Sequence, residues 1–277
     1  MPIVFRMRDK KRLHTRWRLQ SVVTVLTAVL LAFVAKPMRA QTGTVDHAVF
    51  DALLHAHVVN GLVDYPAFAR NASFSRYLAT LDTVQATLLD PQERLAFWIN
   101  VYNAFTIYLV ASHGETRSIR NIDKTFGVLR LKGPWSDPFV HAAGHTLTLD
   151  DVEHTMIRKE FREPRIHFAL VFAALGSPPL RSEAYTGAKL DAQLEDQGRT
   201  FISQSPTKNR MERFALALSP LFTYYRADFG TTRSELGQFL APWFGGDDRK
   251  RLEKGAFGTR ETDFDWTLNS QRKGRPL

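Results

Sequence analysis

Apolar residues recur at helical spacing along most of this chain and alternate only in short stretches. After Asp46, the positions Val49, Phe50, Leu53, Leu54 and Val58 share a helical face, Gly61 lies just past its end, and a short extended piece, Leu62 to Tyr65, follows. Ser75 to Leu81 reads as a brief helix. Asp90 and Pro91 supply an N-cap and a first-turn proline for Leu95 to Val110, in which apolar residues occupy every face. A helix with no side left for water belongs at the centre of a core. Phe139 to Thr148 alternates around Gly144 as a hairpin, and Asp150 with Glu153 makes a capping-box-like start for a helix through Phe161. Beyond Pro164, Ile166 to Leu175 is an apolar run whose helix or strand character periodicity leaves open. Leu190 to Ile202 is helical by pattern, and Phe214, Leu216 and Leu218 alternate as a strand. Ser219 and Pro220 begin another helix, Glu235 to Phe244 forms a further one, and Phe264, Trp266 and Leu268 form a last strand. The pattern predicts the α+β class: a single helix-rich domain with a central buried helix and a small antiparallel sheet or hairpins.

The first 40 residues follow a different logic. Arg6, Arg8, Lys10, Lys11, Arg12, Arg16 and Arg18 precede an apolar run from Ser21 to Ala35, the order of a secretory signal. As a helix that run spans about 22 Å against a hydrocarbon core of roughly 30 Å, which favours a signal peptide over a stable membrane span. Residues 1–40 are therefore expected to be a signal peptide or N-terminal leader, and 41–277 a single domain. Cleavage after Ala40 is favoured. Met38 stands where a small residue is expected, so an uncleaved anchor stays open, and membrane contact is then expected only through the leader. The expected location is extracytoplasmic, in the periplasm.

This division changes the meaning of the charge. The whole chain carries 37 Lys or Arg and 28 Asp or Glu, net +9. Residues 1–40 hold nine basic residues and only Asp9 against them, leaving 28 basic and 27 acidic residues in the remainder. The domain thus has no surplus to neutralise phosphates, and no nucleic-acid partner is expected. The chain has no cysteine. Disulfides, thiolate metal sites and thiol nucleophiles are thereby excluded.

Candidate chemistry is concentrated in two stretches. In the central helix, Asn100 and Asn103 are three apart and share a face, where each buried amide needs a partner. They either pin a neighbouring loop to the core, the preferred reading, or face a ligand. In the second stretch His167 enters an apolar run that ends in the turn Gly176-Ser177-Pro178, so Ser177 is a possible nucleophile with His167 as its base, or simply a turn residue. The nucleophile-elbow pattern of glycine on both sides of the serine is absent. His55 with His57, and His141 with His145, raise a weak metal reading without any zinc-binding helix motif. Phosphate loops, dinucleotide fingerprints and calcium loops are absent from the sequence, and neither a cofactor nor a metal is expected.

Both stretches, with their surroundings, resemble the family called domain of unknown function 547, found in bacterial exported proteins. The resemblance takes in Gly61-Leu-Val-Asp-Tyr65, the Ala96-Phe-Trp-Ile-Asn-Val-Tyr-Asn-Ala104 helix, Leu149-Asp-Asp-Val-Glu-His154 with Arg158, and Pro164-Arg-Ile-His-Phe-Ala169. It continues through Pro178-Pro-Leu-Arg181, Ala184-Tyr185, Leu190-Asp-Ala-Gln-Leu194 and Leu218-Ser-Pro-Leu-Phe-Thr-Tyr-Tyr-Arg-Ala-Asp-Phe229, in order over about residues 45–270. It implies a single α+β domain and an exported member, and says little of activity. Where the family commonly has Cys followed five residues later by Cys-Pro, this chain has Phe172 and Ser177-Pro178. Any thiol chemistry of the relatives is then missing here or has passed to Ser177. Glu153, His154 and Arg158 match the family's Glu-His and downstream Arg, and either line an anion or acyl pocket or form a solvated polar face.

The leading expectation is a domain that binds a small-molecule or peptidic ligand, or serves as a scaffold. Its pocket is expected near His167, Ser177, Arg181 and the Asn100 face. The alternative is a hydrolase or acyl-transfer enzyme using Ser177 and His167, and a metal-dependent enzyme trails. The enzyme requires His167 and Ser177 within hydrogen-bond reach in an open cleft.

Overall fold

A computed structural model describes residues 43–122 and 133–271; the expected leader lies outside the described residues. The polypeptide opens with α1 (Ala48–His57), followed by a hairpin of β1 (Val58–Val59) and β2 (Leu62–Val63). Its two-residue turn, Asn60-Gly61, has φ of +52° and +78°, the left-handed pair such a turn demands. Glycine is required at the second position for another reason too, since a Cβ there would stand 2.4 Å from the Cβ of Pro179. Two helices, α2 (Tyr65–Ala69) and α3 (Ala72–Leu81), then lead to the central helix α4 (Pro91–His113).

As the pattern predicted, Asp90 caps α4, its Oδ1 accepting the Glu93 N–H at 2.9 Å; the helix runs on past Val110 to Gly114, which ends it in the left-handed region at φ +58°. By length and hydropathy α4 is fit to cross a membrane, yet 89% of its most apolar window is buried inside the protein. It is a core helix. Around it pack α2, α3, the hairpin β3 (Val140–Ala142)/β4 (His145–Leu147) and the helix that follows.

That next helix departs from expectation in a way that matters for the site. It starts as α5 (Leu149–Asp151) and widens into a π-helical segment, Val152–Arg158. The capping box is made by Thr148 and Asp151, which exchange bonds of 2.9 Å in both directions, not by Asp150 and Glu153. Two residues of register free Glu153 from capping and send it inward. The ambiguous run after Pro164 is resolved as a single helical turn, α6 (Ile166–Ala169), followed by extended chain in which Ala173 has φ +53°.

Downstream lie α7 (Leu190–Gly198), continuing into a π-helical turn Arg199–Ser203, then β5 (Arg210–Met211), β6 (Ala215–Leu218), α8 (Leu221–Tyr224), α9 (Arg226–Phe229), α10 (Arg233–Leu240), α11 (Gly246–Glu253) and β7 (Gly258–Glu261). The third sheet has the order β5-β6-β7 and is mixed: β5 runs antiparallel to β6, whereas β7 runs parallel to it. Its last strand is not Phe264 to Leu268, which makes one isolated bridge, Leu268 with Ala174. Alternation misled there because Phe264 and Trp266 turn their rings onto a pocket wall instead of a sheet face. Helix α11 was invisible to periodicity, having Leu252 as its one buried residue. The α+β class, the helix-rich domain and the central buried helix all stand, with three small sheets among the described residues.

The core has two parts. The larger gathers the faces of α1 to α5 around α4, and the smaller is an aromatic cluster of Phe168, Phe201, Phe222, Phe229 and Trp243 with the aliphatic residues of α8 to α11. Phe172 packs against both.

Candidate functional site

At that seam a pocket of about 170 Å³ opens, with Tyr102 from α4, Trp135 and Phe172 from loops, Tyr225 between α8 and α9, and Phe264 and Trp266 from the chain's last stretch. Asp150, Glu153 and His154 contribute its polar side. Glu153 is 3% exposed. Three polar atoms of these walls, Glu153 Oε1, Tyr102 Oη and Trp135 Nε1, are buried without a well-formed hydrogen bond, with Trp135 beside Tyr102 and Tyr225 beside Glu153 as their neighbours. An unmade buried hydrogen bond costs on the order of 1–3 kcal/mol, so three around one cavity single it out as a candidate site. Burial, first, and then the neighbouring Glu153 carboxylate push the Tyr102 and Tyr225 hydroxyls up, and both rings stay neutral.

Behind Tyr225 stands a second layer. Arg158 forks onto Asp228, Nε donating to Oδ2 at 2.7 Å and Nη2 to Oδ1 at 3.1 Å. His167 donates from Nε2 to the same Asp228 Oδ2 at 2.6 Å, the tautomer that a carboxylate partner selects. The His167 ring stacks on Tyr225 at 3.9 Å between centroids, and the Arg158 guanidinium lies 5.0 Å from the centre of the same ring. Asp228 is held well below the usual carboxylate range, chiefly by the His167 hydrogen bond and further by the Arg158 fork. Burial pushes His167 down despite that carboxylate. A neutral, fully buried imidazole between a carboxylate and a tyrosine ring orients Tyr225; it has no path to solvent.

The π-helical segment explains how Glu153 and Arg158 come to serve one site. Five residues apart, they point away from one another on an α-helix, but a π turn closes i to i+5 and draws them toward one side. His154, half exposed, joins them by accepting a bond from Arg158 Nη1 at 3.0 Å.

The other expected site residues are dispersed. Asn100 donates to the Tyr185 carbonyl at 2.7 Å and accepts the Tyr185 N–H at 2.9 Å, while Asn103 clasps the Ala169 carbonyl and the Val171 N–H at 2.9 and 3.1 Å. Both amides are spent on backbone, and neither lines the pocket. Ser177 is buried with its Oγ accepting the Phe172 N–H at 3.0 Å, a turn hydrogen bond that joins the two positions. Among the described residues no hydrogen bond links Ser177 to His167, whose Nε2 belongs to Asp228. Arg181 pairs with Glu183 and Asp196 at the edge of a separate open groove whose lining shares no residue with the aromatic pocket. The expected single pocket of His167, Ser177, Arg181 and Asn100 is therefore not assembled. Among the described residues no group of three histidines or carboxylates converges as a metal site.

Residues 86–202 match the model of a family described as "Protein of unknown function, DUF547". The matched stretch runs through α4 to the π-helical end of α7 and holds Tyr102, Trp135, Asp150, Glu153, His154, Arg158, His167 and Phe172. Tyr225, Asp228, Phe264 and Trp266 lie beyond it. No curated protein and no solved structure matches the chain.

Sequence reasoning missed Tyr102, Trp135, Asp150, Tyr225, Asp228, Phe264 and Trp266. One signal was present: Asp228 sits among aromatic residues at helical spacing in Leu221-Phe-Thr-Tyr-Tyr-Arg-Ala-Asp-Phe229, and a carboxylate on an otherwise aromatic face needs a cation or a histidine opposite.

Proposed function

We propose that this domain is an exported ligand-binding module whose site is the aromatic pocket between Tyr102, Trp135, Tyr225 and Trp266. The observation that carries this reading is the buried Glu153 Oε1, left without a well-formed hydrogen bond on a cavity wall beside two other such polar groups. Small-molecule sites have this composition: mostly apolar and aromatic walls with a few placed polar atoms. Export is supported by the order of basic and apolar residues in positions 1–40, and the family match supports the resemblance that suggested it. Binding is favoured over hydrolysis because Ser177 Oγ and His167 Nε2 each have another partner.

The test is a screen of the full-length protein against a library of small polar and aromatic molecules, read by the fluorescence of Trp135 and Trp266. Hits are expected to weaken at least tenfold in Trp266→Leu and to be unchanged in Ser177→Ala. Binding indifferent to Trp266→Leu, or ester turnover that disappears in Ser177→Ala, would overturn the proposal. Location is tested by fractionating cells and measuring the mass of the mature chain, which is expected to begin near Gln41.

A further inference from the structure

Resting on the reading of this pocket as the ligand site, we infer that its occupant is a small organic cation: an ammonium group attached to a neutral oxygen function. Charge points first in this direction. Among the described residues, those lining the pocket include the carboxylates of Asp150 and Glu153 and no lysine or arginine. Arg158 lies near, but its fork is committed to Asp228, and the two form a neutral pair of their own. Among the described residues Asp150 receives a hydroxyl, from Ser136 at 2.6 Å, which does not discharge it. An anionic ligand would meet two like charges at close range, and a neutral apolar ligand would leave Glu153 Oε1, already out of reach of water, without a compensating charge, the costliest outcome for a buried carboxylate. A cation removes both penalties.

The walls agree with the charge. Indole and phenol faces carry negative quadrupoles that attract a cation placed over them, and such aromatic enclosures bind ammonium groups. Here Trp135, Trp266 and Tyr102 supply such rings around the carboxylate, the Tyr225 ring being taken up by His167 and Arg158. The Tyr102 hydroxyl refines the ligand. Trp135 Nε1 can only donate and has the Tyr102 oxygen beside it, while the Tyr102 O–H stays protonated, so the ligand is to offer that hydroxyl an acceptor beside its charged end. An amino alcohol or an amine next to a carbonyl meets that requirement; a bare alkylamine does not. Size sets the last limit. A cavity of about 150 Å³ holds benzene, so one of about 170 Å³ admits an ammonium head group with a short arm and excludes a sugar or a nucleotide.

The experiment compares two cation/neutral pairs of equal shape on the full-length protein: choline with 3,3-dimethylbutan-1-ol, and ethanolamine with propan-1-ol, each titrated by calorimetry and tryptophan fluorescence. At least one ammonium compound is expected to bind tenfold or more tightly than its neutral partner. Glu153→Gln should abolish that preference while leaving the neutral compound's affinity within about twofold. Because removing a buried carboxylate can alter folding, Asp150→Asn is measured alongside, and it should reduce the preference to a smaller extent. Neutral compounds binding as well as the cations, with both lost in Trp266→Leu, would refute the cation and leave the pocket as a ligand site. Absence of binding by either ammonium compound up to about 10 mM refutes the inference, and silence of the wider library as well refutes the site itself.

Discussion

Replacing Asn100 by leucine is the sharpest test of how this fold is held. The side chain is 1% exposed and joins α4 to the Tyr185 backbone through both halves of its amide. Leucine has the same branching and is larger than asparagine, so no cavity is made, and the cost comes from the stranded N–H and C=O of Tyr185. Each unpaired buried group costs on the order of 1–3 kcal/mol, a gross loss of about 2–6. Against this, an amide no longer has to be desolvated and a larger apolar side chain is buried, which returns about 1–2 kcal/mol. The net loss should be about 2–4 kcal/mol. It should not melt the loop, because the neighbouring N–H groups keep their clasps: Ala184 to Asp51, Thr186 to Gln193 and Gly187 to Glu93, at 2.8, 3.1 and 2.7 Å. Urea unfolding followed by tryptophan fluorescence reads the effect. With a slope of about 2 kcal/mol per molar, the midpoint should fall by about 1–2 M at unchanged slope. Asn103→Leu strands the Ala169 carbonyl and Val171 N–H and should fall by a similar amount. Midpoints moving by less than about 0.3 M in both variants would mean that these backbone groups find water or other partners, and the clasp argument would be wrong.

Asp228→Asn should cost about 2–4 kcal/mol, since it leaves Arg158 and His167 facing a neutral amide. Its folded-state pKa is depressed, so the carboxylate's contribution is present above the unfolded value near 4 and is lost as pH falls below it; the variant should show a flatter acid limb in pH-dependent unfolding. His47 is lowered to about 4 by burial, with Asp46 opposing. Between about pH 6.5 and 4 the unfolded chain takes up a proton that the folded one refuses, so stability should drop by up to about 3 kcal/mol as pH falls through that window. His47→Phe should remove most of that slope in melting curves at successive pH values, and an unchanged slope would show that this imidazole is not buried neutral. Ser177→Ala should cost about 1 kcal/mol through the lost acceptor for Phe172 N–H, and neither form should react stoichiometrically with fluorophosphonate probes; labelling that Ser177→Ala abolishes would make this serine a nucleophile after all.

The sequence by itself determined the central helix, its N-terminal cap and the class of the fold. Those features depend on neighbours within a few positions: Asp90 and Pro91 at the start of α4 and an apolar residue on every face. Local turns were equally legible at Asn60-Gly61 and Ala143-Gly144, where left-handed φ values follow from residue type or tight closure. What the tertiary structure alone decided is which polar groups meet. Periodicity states that Asn100 and Asn103 are buried, but the partners that occupy them lie 85 and 66 residues away. His167 stands beside Ser177 in the chain, yet it bonds a carboxylate 61 residues on. Glu153 looked like a capping acid until a capping box at Thr148 and Asp151 and a widened helical turn rotated it into the core. Hydrophobic pattern reports how much of an element is covered and not by what, and a hydrogen bond across the fold is chosen by angles and separations that exist only after packing. The aromatic pocket is the extreme case, since its walls come from segments spread between Tyr102 and Trp266 and converge only where the two halves of the core leave a gap.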